Sequence, residues 1–220
     1  MLESIAQIWE KYGYVYLEGA WGTVYLALLS VLFGTLLGAV LAIMKLSKVK
    51  VLQAIVGAYV WVIRGTPALL QIYFFYFFLP KYVPFEMSEK ACIIMALVVN
   101  ASAFVAEIIR AGIQAVDKGQ TEAARSLGMS SYHTMMYVIL PQAIKNILPA
   151  LGNEFIVMIK QASLASIFFI TEITSAFKTV QSATFITIPA LVISGALYLG
   201  LTTVVSFFVK LGERRLKVND

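Results

Sequence analysis

Between Trp21 and Met44 the chain runs WGTVYLALLSVLFGTLLGAVLAIM, about 24 residues without a single charged side chain. As an α-helix this stretch is roughly 36 Å long, enough to cross a ~30 Å hydrocarbon core with some tilt. A water-soluble fold has no place for such a run. Further apolar runs occupy roughly 51–79, 91–113, 144–170 and 188–209. Their length predicts helices, since strands of a membrane barrel alternate over about ten residues. Composition agrees: 60% of the 220 residues are apolar, 13% are charged, and the mean hydropathy is +0.84. The expected fold class is therefore an all-α membrane protein with five transmembrane helices in one domain, residues 1–220.

Within the second run, Gly65, Thr66 and Pro67 interrupt the helix. Proline lacks a backbone donor and disfavours helical geometry at the preceding residue, so a kink or local unwinding is expected at 65–67. Residues 1–18 are read as an amphipathic segment at the membrane surface, because Leu2, Ile5, Ile8, Trp9 and Tyr12 recur at three and four residues. They do not form a cleavable signal peptide. Cys92 lies in an apolar run and reads as a small buried hydrophobe.

The net charge of +5 would suggest nucleic acid or lipid surfaces in a soluble protein; here its distribution among the connectors matters, and no nucleic-acid partner is expected. Lys45, Lys48 and Lys50 stand in the first connector without an acid. In the second, Lys81 and Lys90 balance Glu86 and Glu89. The third carries Arg110, Lys118, Arg125 and Lys145 against Asp117 and Glu122, and the fourth only Glu172 and Lys178. The tail has Lys210, Arg214, Arg215 and Lys217 against Glu213 and Asp220. Positive and balanced connectors alternate, which places the N-terminus outside and the C-terminus in the cytoplasm.

The third connector, about 117–141, is the most polar internal segment. Gly119 and Gln120 are expected to end the preceding helix, with Thr121 as N-cap and Glu122 in the first turn, where it favours the helix dipole. Gly128 is expected to close this short helix in a left-handed conformation, and Ser130 or Ser131 to start another that runs to Pro141. Ala123, Ala124 and Leu127 form one small-residue face suited to docking, either on a partner or on the chain's own membrane helices. His133 reads as solvated, without metal-ligand neighbours.

These residues carry a resemblance. Glu122, Ala123, Ala124, then Gly128, then Val138, Ile139, Leu140 and Pro141 resemble the EAA loop of ABC importer permeases, with Val138 in place of isoleucine. RGTP from Arg64, AEIIRAGI from Ala106, GQTEAARSLG, ILPQAIKNILPALGN and KQASLAS from Lys160 are similar to the polar amino acid branch, represented by histidine, glutamine and arginine permeases. Where many relatives carry an acid or amide and then a hydroxyl residue just after the lysine, this chain has Gln161 and Ala162. The resemblance implies a type I importer (MetI-like) fold in which two permease subunits form a translocation path with alternating access. It implies a coupling helix seated in a cytoplasmic ABC ATPase, with Glu122 meeting a cationic group, Ala123, Ala124 and Leu127 packing, Arg125 beside them and Gly128 turning. An external amino-acid-binding protein and a bacterial cytoplasmic (inner) membrane location are further implications. The sequence has no GxxxxGK[ST] and no Gly-Lys pair, so ATP and Mg belong to a separate polypeptide and no cofactor or metal is expected on this one.

Ionisable residues at membrane depth suggest function or pairing. Arg64, Thr66, Asn100 and Glu154 are the candidate ligand contacts, with Lys160 toward the outer side, where it either snorkels or touches substrate. The competing reading pairs Arg64 with Glu154, or each with a partner subunit. Glu107 and Arg110, three apart, are expected to pair on their own helix. A carboxylate at Glu154 facing a cavity would favour arginine, lysine or histidine. The alternative function is a secondary amino-acid transporter or channel driven by ion gradients, against which the odd span count and absent internal repeat weigh. No constellation of an enzyme active site occurs.

Overall fold

The computed structural model describes residues 1–84 and 86–217; Phe85 and the tail acid Asp220 lie outside the described residues. The described residues form helices throughout. In order these are α1 (Leu2–Leu46), α2 (Lys50–Gly65), α3 (Ala68–Phe77), the single turn α4 (Leu79–Tyr82), α5 (Glu89–Gln114), α6 (Lys118–Ser126), α7 (Ser131–Thr134), α8 (Leu140–Gln161), α9 (Ile173–Thr184) and α10 (Thr187–Lys217). A π-helical segment (Met135–Ile139) joins α7 to α8, and a 3₁₀ segment (Ala162–Phe168) extends α8. Three helices, α1, α5 and α10, are individually long and apolar enough to cross a membrane; α2 with α3–α4, and α7–α8 with α9, qualify as bent pairs.

Helix α5 is the centre of the bundle, and α1 packs along it. The approach is close because α1 presents glycine: a Cβ at Gly34 would stand 2.6 Å from Cβ of Ala101, and one at Gly38 2.7 Å from Cβ of Val105. Small residues allow membrane helices to gain packing and backbone contact where lipid offers no hydrophobic drive. Ala27, Ala101, Met158 and Ile159 then join α1, α5 and α8 in one core layer. A second layer of Leu26, Ile72, Ile93, Leu97 and Phe168 binds α3 and the 3₁₀ segment to it.

Two expectations about boundaries are corrected. Residues 1–18 are not a separate surface helix; α1 is unbroken from Leu2, and Ile8 and Tyr16 are buried against Ala176, Val180, Ala190 and Ile193 of α9 and α10. At 45 residues α1 is about 68 Å long, twice the hydrocarbon thickness. The apolar spacing of its N-terminal part thus serves protein packing. The helix after Gly128 does not stop at Pro141 but continues to Gln161. A π turn immediately before the proline accommodates a ring that a regular helix would exclude.

The fourth connector is likewise no solvated loop. Glu172 is fully buried and caps α9, its carboxylate accepting from the backbone N–H of Thr174 (2.8 Å) and Ser175 (2.5 Å) and from the Tyr198 hydroxyl (2.6 Å). The Thr23 hydroxyl accepts from the Ile173 N–H at 3.1 Å, so α1, α9 and α10 meet at one polar knot. A charge counted as a loop residue is a structural one.

Candidate functional site: a broken span, a buried carboxylate and a connector helix

The break at 65–67 is sharp. Thr66 is extended (φ −118°, ψ 147°), and α2 and the α3–α4 unit diverge by 106°. A helix would pair the Ile63 carbonyl with the N–H of residue 67, which proline lacks, and the Val62 carbonyl with that of Thr66. Side chains replace both donors. The Thr66 hydroxyl donates to Val62 O at 2.9 Å, and Gln71 Nε2 donates to Ile63 O at 2.7 Å. The same amide nitrogen lies 3.1 Å from Thr66 O and 2.9 Å from Thr66 Oγ1. Gln71 Oε1 in turn accepts from Asn100 Nδ2 at 2.9 Å, which locks the corner to α5. Gln71 and Asn100 are 7% and 3% exposed.

Sequence reasoning missed Gln71, although a lone amide four residues after a proline in an apolar run was a readable signal. Thr66 and Asn100 are brought together, but through Gln71 and with Asn100 Nδ2 already engaged. Asn100 Oδ1 has no hydrogen-bond partner.

Arg64 points elsewhere. Its guanidinium lies over the Phe104 ring, 5.4 Å from the centroid, and it is exposed in an open cavity of about 390 Å³ with Lys45, Trp61 and Glu107. Glu107 forms ion pairs with Lys45 (3.4 Å) and Arg110. The expected pair on α5 is thus present, with Lys45 of α1 added. An Arg64–Glu154 pair within one chain is not.

Glu154 sits on the inner face of α8 with Ile147 and Met158, 6% exposed, and its Oε1 has no hydrogen-bond partner. Gln161, two turns further along, carries another buried oxygen, Oε1, without a partner. Lys160 is exposed at the end of α8, where its backbone carbonyl accepts from the Ser163 hydroxyl at 2.6 Å. The unpaired atoms at Asn100, Glu154 and Gln161 are all acceptors. They call for donors.

In the third connector, α6 begins earlier than expected. Asp117, not Thr121, is the N-cap, its Oδ1 accepting from the Gly119 N–H at 2.7 Å. Glu122 therefore lies beyond the first turn. The C-terminus forms a Schellman motif: Gly128 N–H donates to Arg125 O at 3.0 Å and Met129 N–H to Ala124 O at 3.1 Å. Gly128 has φ +79°, as expected for a left-handed closing residue. Arg125 Nη1 caps the turn on Met129 O at 2.6 Å. Ser130 starts α7, accepting from His133 N–H, and His133 is exposed and stacked on Tyr137.

The docking face needs a correction. Ala124 is 5% exposed and packs inward on its own chain, whereas Ala123 and Glu122 are exposed and Leu127 is 84% exposed. The two alanines divide the labour: one seats α6 on the rest of the chain, the other stands outside beside Leu127.

Residues 34–218 match the family described as binding-protein-dependent transport system inner membrane component. The chain belongs to this family. It is 38% identical to the arginine transport system permease protein ArtQ of Bacillus subtilis, with 93% of each chain covered. It is 39% identical to the nopaline transport system permease protein NocM of Agrobacterium fabrum, covering 87% of this chain and 83% of that one. The putative glutamine transport system permease protein GlnP of Rickettsia conorii is 33% identical over the full length of both. The crystal structure of an amino acid ABC transporter with histidines superposes with a TM-score of 0.89 at 44% identity, over 93% of this chain and 95% of that chain. An inward-facing MetNI methionine transporter, 18% identical, shares the fold with a TM-score of 0.77, over 92% of this chain and 96% of that one. The fold is the MetI-like type I importer fold. This permease is the membrane subunit of an ABC amino acid importer, a transport protein and not an enzyme.

Proposed function

We propose that this permease carries basic amino acids, arginine, lysine or histidine, through a path shaped by the broken span and by α8. The observation that supports this reading is Glu154: a carboxylate 6% exposed, with Oε1 unpaired and outside the ion pairs described above. A buried carboxylate without a donor is costly, and a guanidinium or ammonium ligand would supply charge-assisted bonds. The relative ArtQ, an arginine permease, supports the same cargo, while the glutamine permeases favour a neutral one. Arg64, Thr66, Asn100 and Lys160 complete the proposed substrate residues, with Arg64 suited to a substrate carboxylate.

In this reading the chain is one permease domain with five spans, each bent pair counting as one, the N-terminus outside and the C-terminus in the cytoplasm of a bacterial inner membrane. A second permease subunit, cytoplasmic ABC ATPases and an external amino-acid-binding protein are its partners. The loop 117–141 couples it to the ATPase through Glu122, Ala123 and Leu127, with Ala124, Arg125 and Gly128 holding that helix in shape. ATP binding and hydrolysis on the ATPase then drive alternating access.

The test is binding-protein-dependent uptake in proteoliposomes. Glu154→Gln, which keeps shape and removes charge, is expected to weaken uptake of basic amino acids at least tenfold and to spare glutamine. Unchanged half-saturation for arginine, lysine and histidine overturns the basic-cargo reading.

A further inference from the structure

An open groove of about 690 Å³ runs between α8 and α10. Leu148 and Phe155 of α8 and Val205 and Phe208 of α10 line it, and Arg215 stands at its far end. Leu148 and Phe208 are exposed. From Val205 to Leu216 the groove follows α10 for about 16 Å at 1.5 Å per residue, half of a ~30 Å hydrocarbon core and thus the depth of one leaflet.

Its polarity is graded in the same direction. Apolar walls give way to Arg215, which is exposed and next in the chain to the exposed Arg214. Glu213 also lines this end and has an interaction of its own. An apolar channel one leaflet long, with an exposed arginine at its end, is complementary to an acyl chain below an anionic headgroup. We propose that this groove binds one anionic glycerophospholipid of the cytoplasmic leaflet, its acyl chain lying along α8 and α10 and its phosphate at Arg215. The leaflet assignment rests on the cytoplasmic C-terminus proposed above; the cargo plays no part in it.

Gly212 provides a selective probe, because it lines the groove and nothing lies within 4 Å of a Cβ placed there. Gly212→Phe puts a ring into the channel from a position where the added Cβ meets no neighbour. The purified permease–ATPase complex is delipidated and titrated with phosphatidylglycerol or phosphatidylcholine of identical acyl chains, and adducts are counted by native mass spectrometry. The expected result is a roughly fivefold preference for phosphatidylglycerol, the size of one arginine near a membrane surface. Arg215→Gln should erase that preference, Arg215→Lys should keep it, and Gly212→Phe should remove bound lipid of both kinds while the complex stays assembled. Equal binding of the two lipids to the native complex overturns the proposal, as does a preference that survives Arg215→Gln. Dissociation of the permease pair by Gly212→Phe with lipid adducts unchanged also overturns it, and assigns the groove to a second permease copy.

Discussion

Gln71→Leu removes the donor that substitutes for the missing proline N–H while preserving most of the side-chain volume. Gln71 Nε2 has two hydrogens and three acceptors within reach, so one is shared; with the bond accepted from Asn100, about three hydrogen bonds are at stake. Each is worth about 0.5–1.5 kcal/mol net, and the change leaves Ile63 O and Asn100 Nδ2 unpaired in an apolar layer, so the expected loss is about 2–4 kcal/mol. For a chain of this size that corresponds to roughly 5–15 °C in melting temperature, measured on the detergent-purified complex. In an Asn100→Leu background the cost should fall by about 1 kcal/mol, because that bond is already gone. A Gln71→Leu melting temperature within 2 °C of the native value, or full additivity with Asn100→Leu, would refute the reasoning and return Asn100 to a pure ligand role.

The exposed face of α6 gives a second expectation. Leu127→Asp should leave the permease's own melting temperature unchanged yet weaken ATPase capture about 10–100-fold, the value of one buried leucine, in a pull-down at graded ATPase concentration. Ala124→Asp should instead destabilise the permease itself, because that methyl is buried within the chain. Equal effects of the two substitutions on ATPase capture and on melting would contradict the divided face. Glu172→Ala should cost about 2–4 kcal/mol, since two backbone N–H groups and the cap of α9 lose their acceptor, while Glu172→Gln should cost about half as much. Thermal unfolding of both variants, compared with Lys178→Gln as a control on the same helix, checks this.

Uncharged length and the breaking residues made much of this fold legible. Trp21–Met44 announces a spanning helix whatever surrounds it, and Pro67 forces a break because no tertiary contact can restore its N–H. The Gly128 turn was readable for the same local reason. What stayed hidden depends on partners distant in sequence. Nothing local tells that Ile8 and Tyr16 bury against α9 and α10, since their spacing fits a membrane surface equally well. Glu172 reads as a connector charge until Tyr198, 26 residues away, supplies a donor. Ala123 and Ala124 are indistinguishable by type; which of them turns inward is set by how α6 lies against the rest of the chain.

Hydrogen-bond supply divides the polar residues at membrane depth into two groups. Glu107 is held by Arg110 and Lys45, Glu172 by two backbone amides and a tyrosine, and the Gln71 amide by the freed carbonyls of the corner. These groups meet their demands inside the chain, and their removal should read out as instability. Asn100, Glu154 and Gln161 each retain a buried oxygen that the chain does not serve. Bare apolar surroundings make an unserved acceptor expensive, by about 1–3 kcal/mol each and more for a carboxylate, so a sequence under selection for stability alone would replace them with apolar residues of similar size. Their common character narrows what they await: three acceptors favour a ligand or partner rich in N–H groups. Substitutions at Glu154 and Gln161 should therefore change transport while leaving melting unchanged or raised, the opposite of the pattern at Glu172.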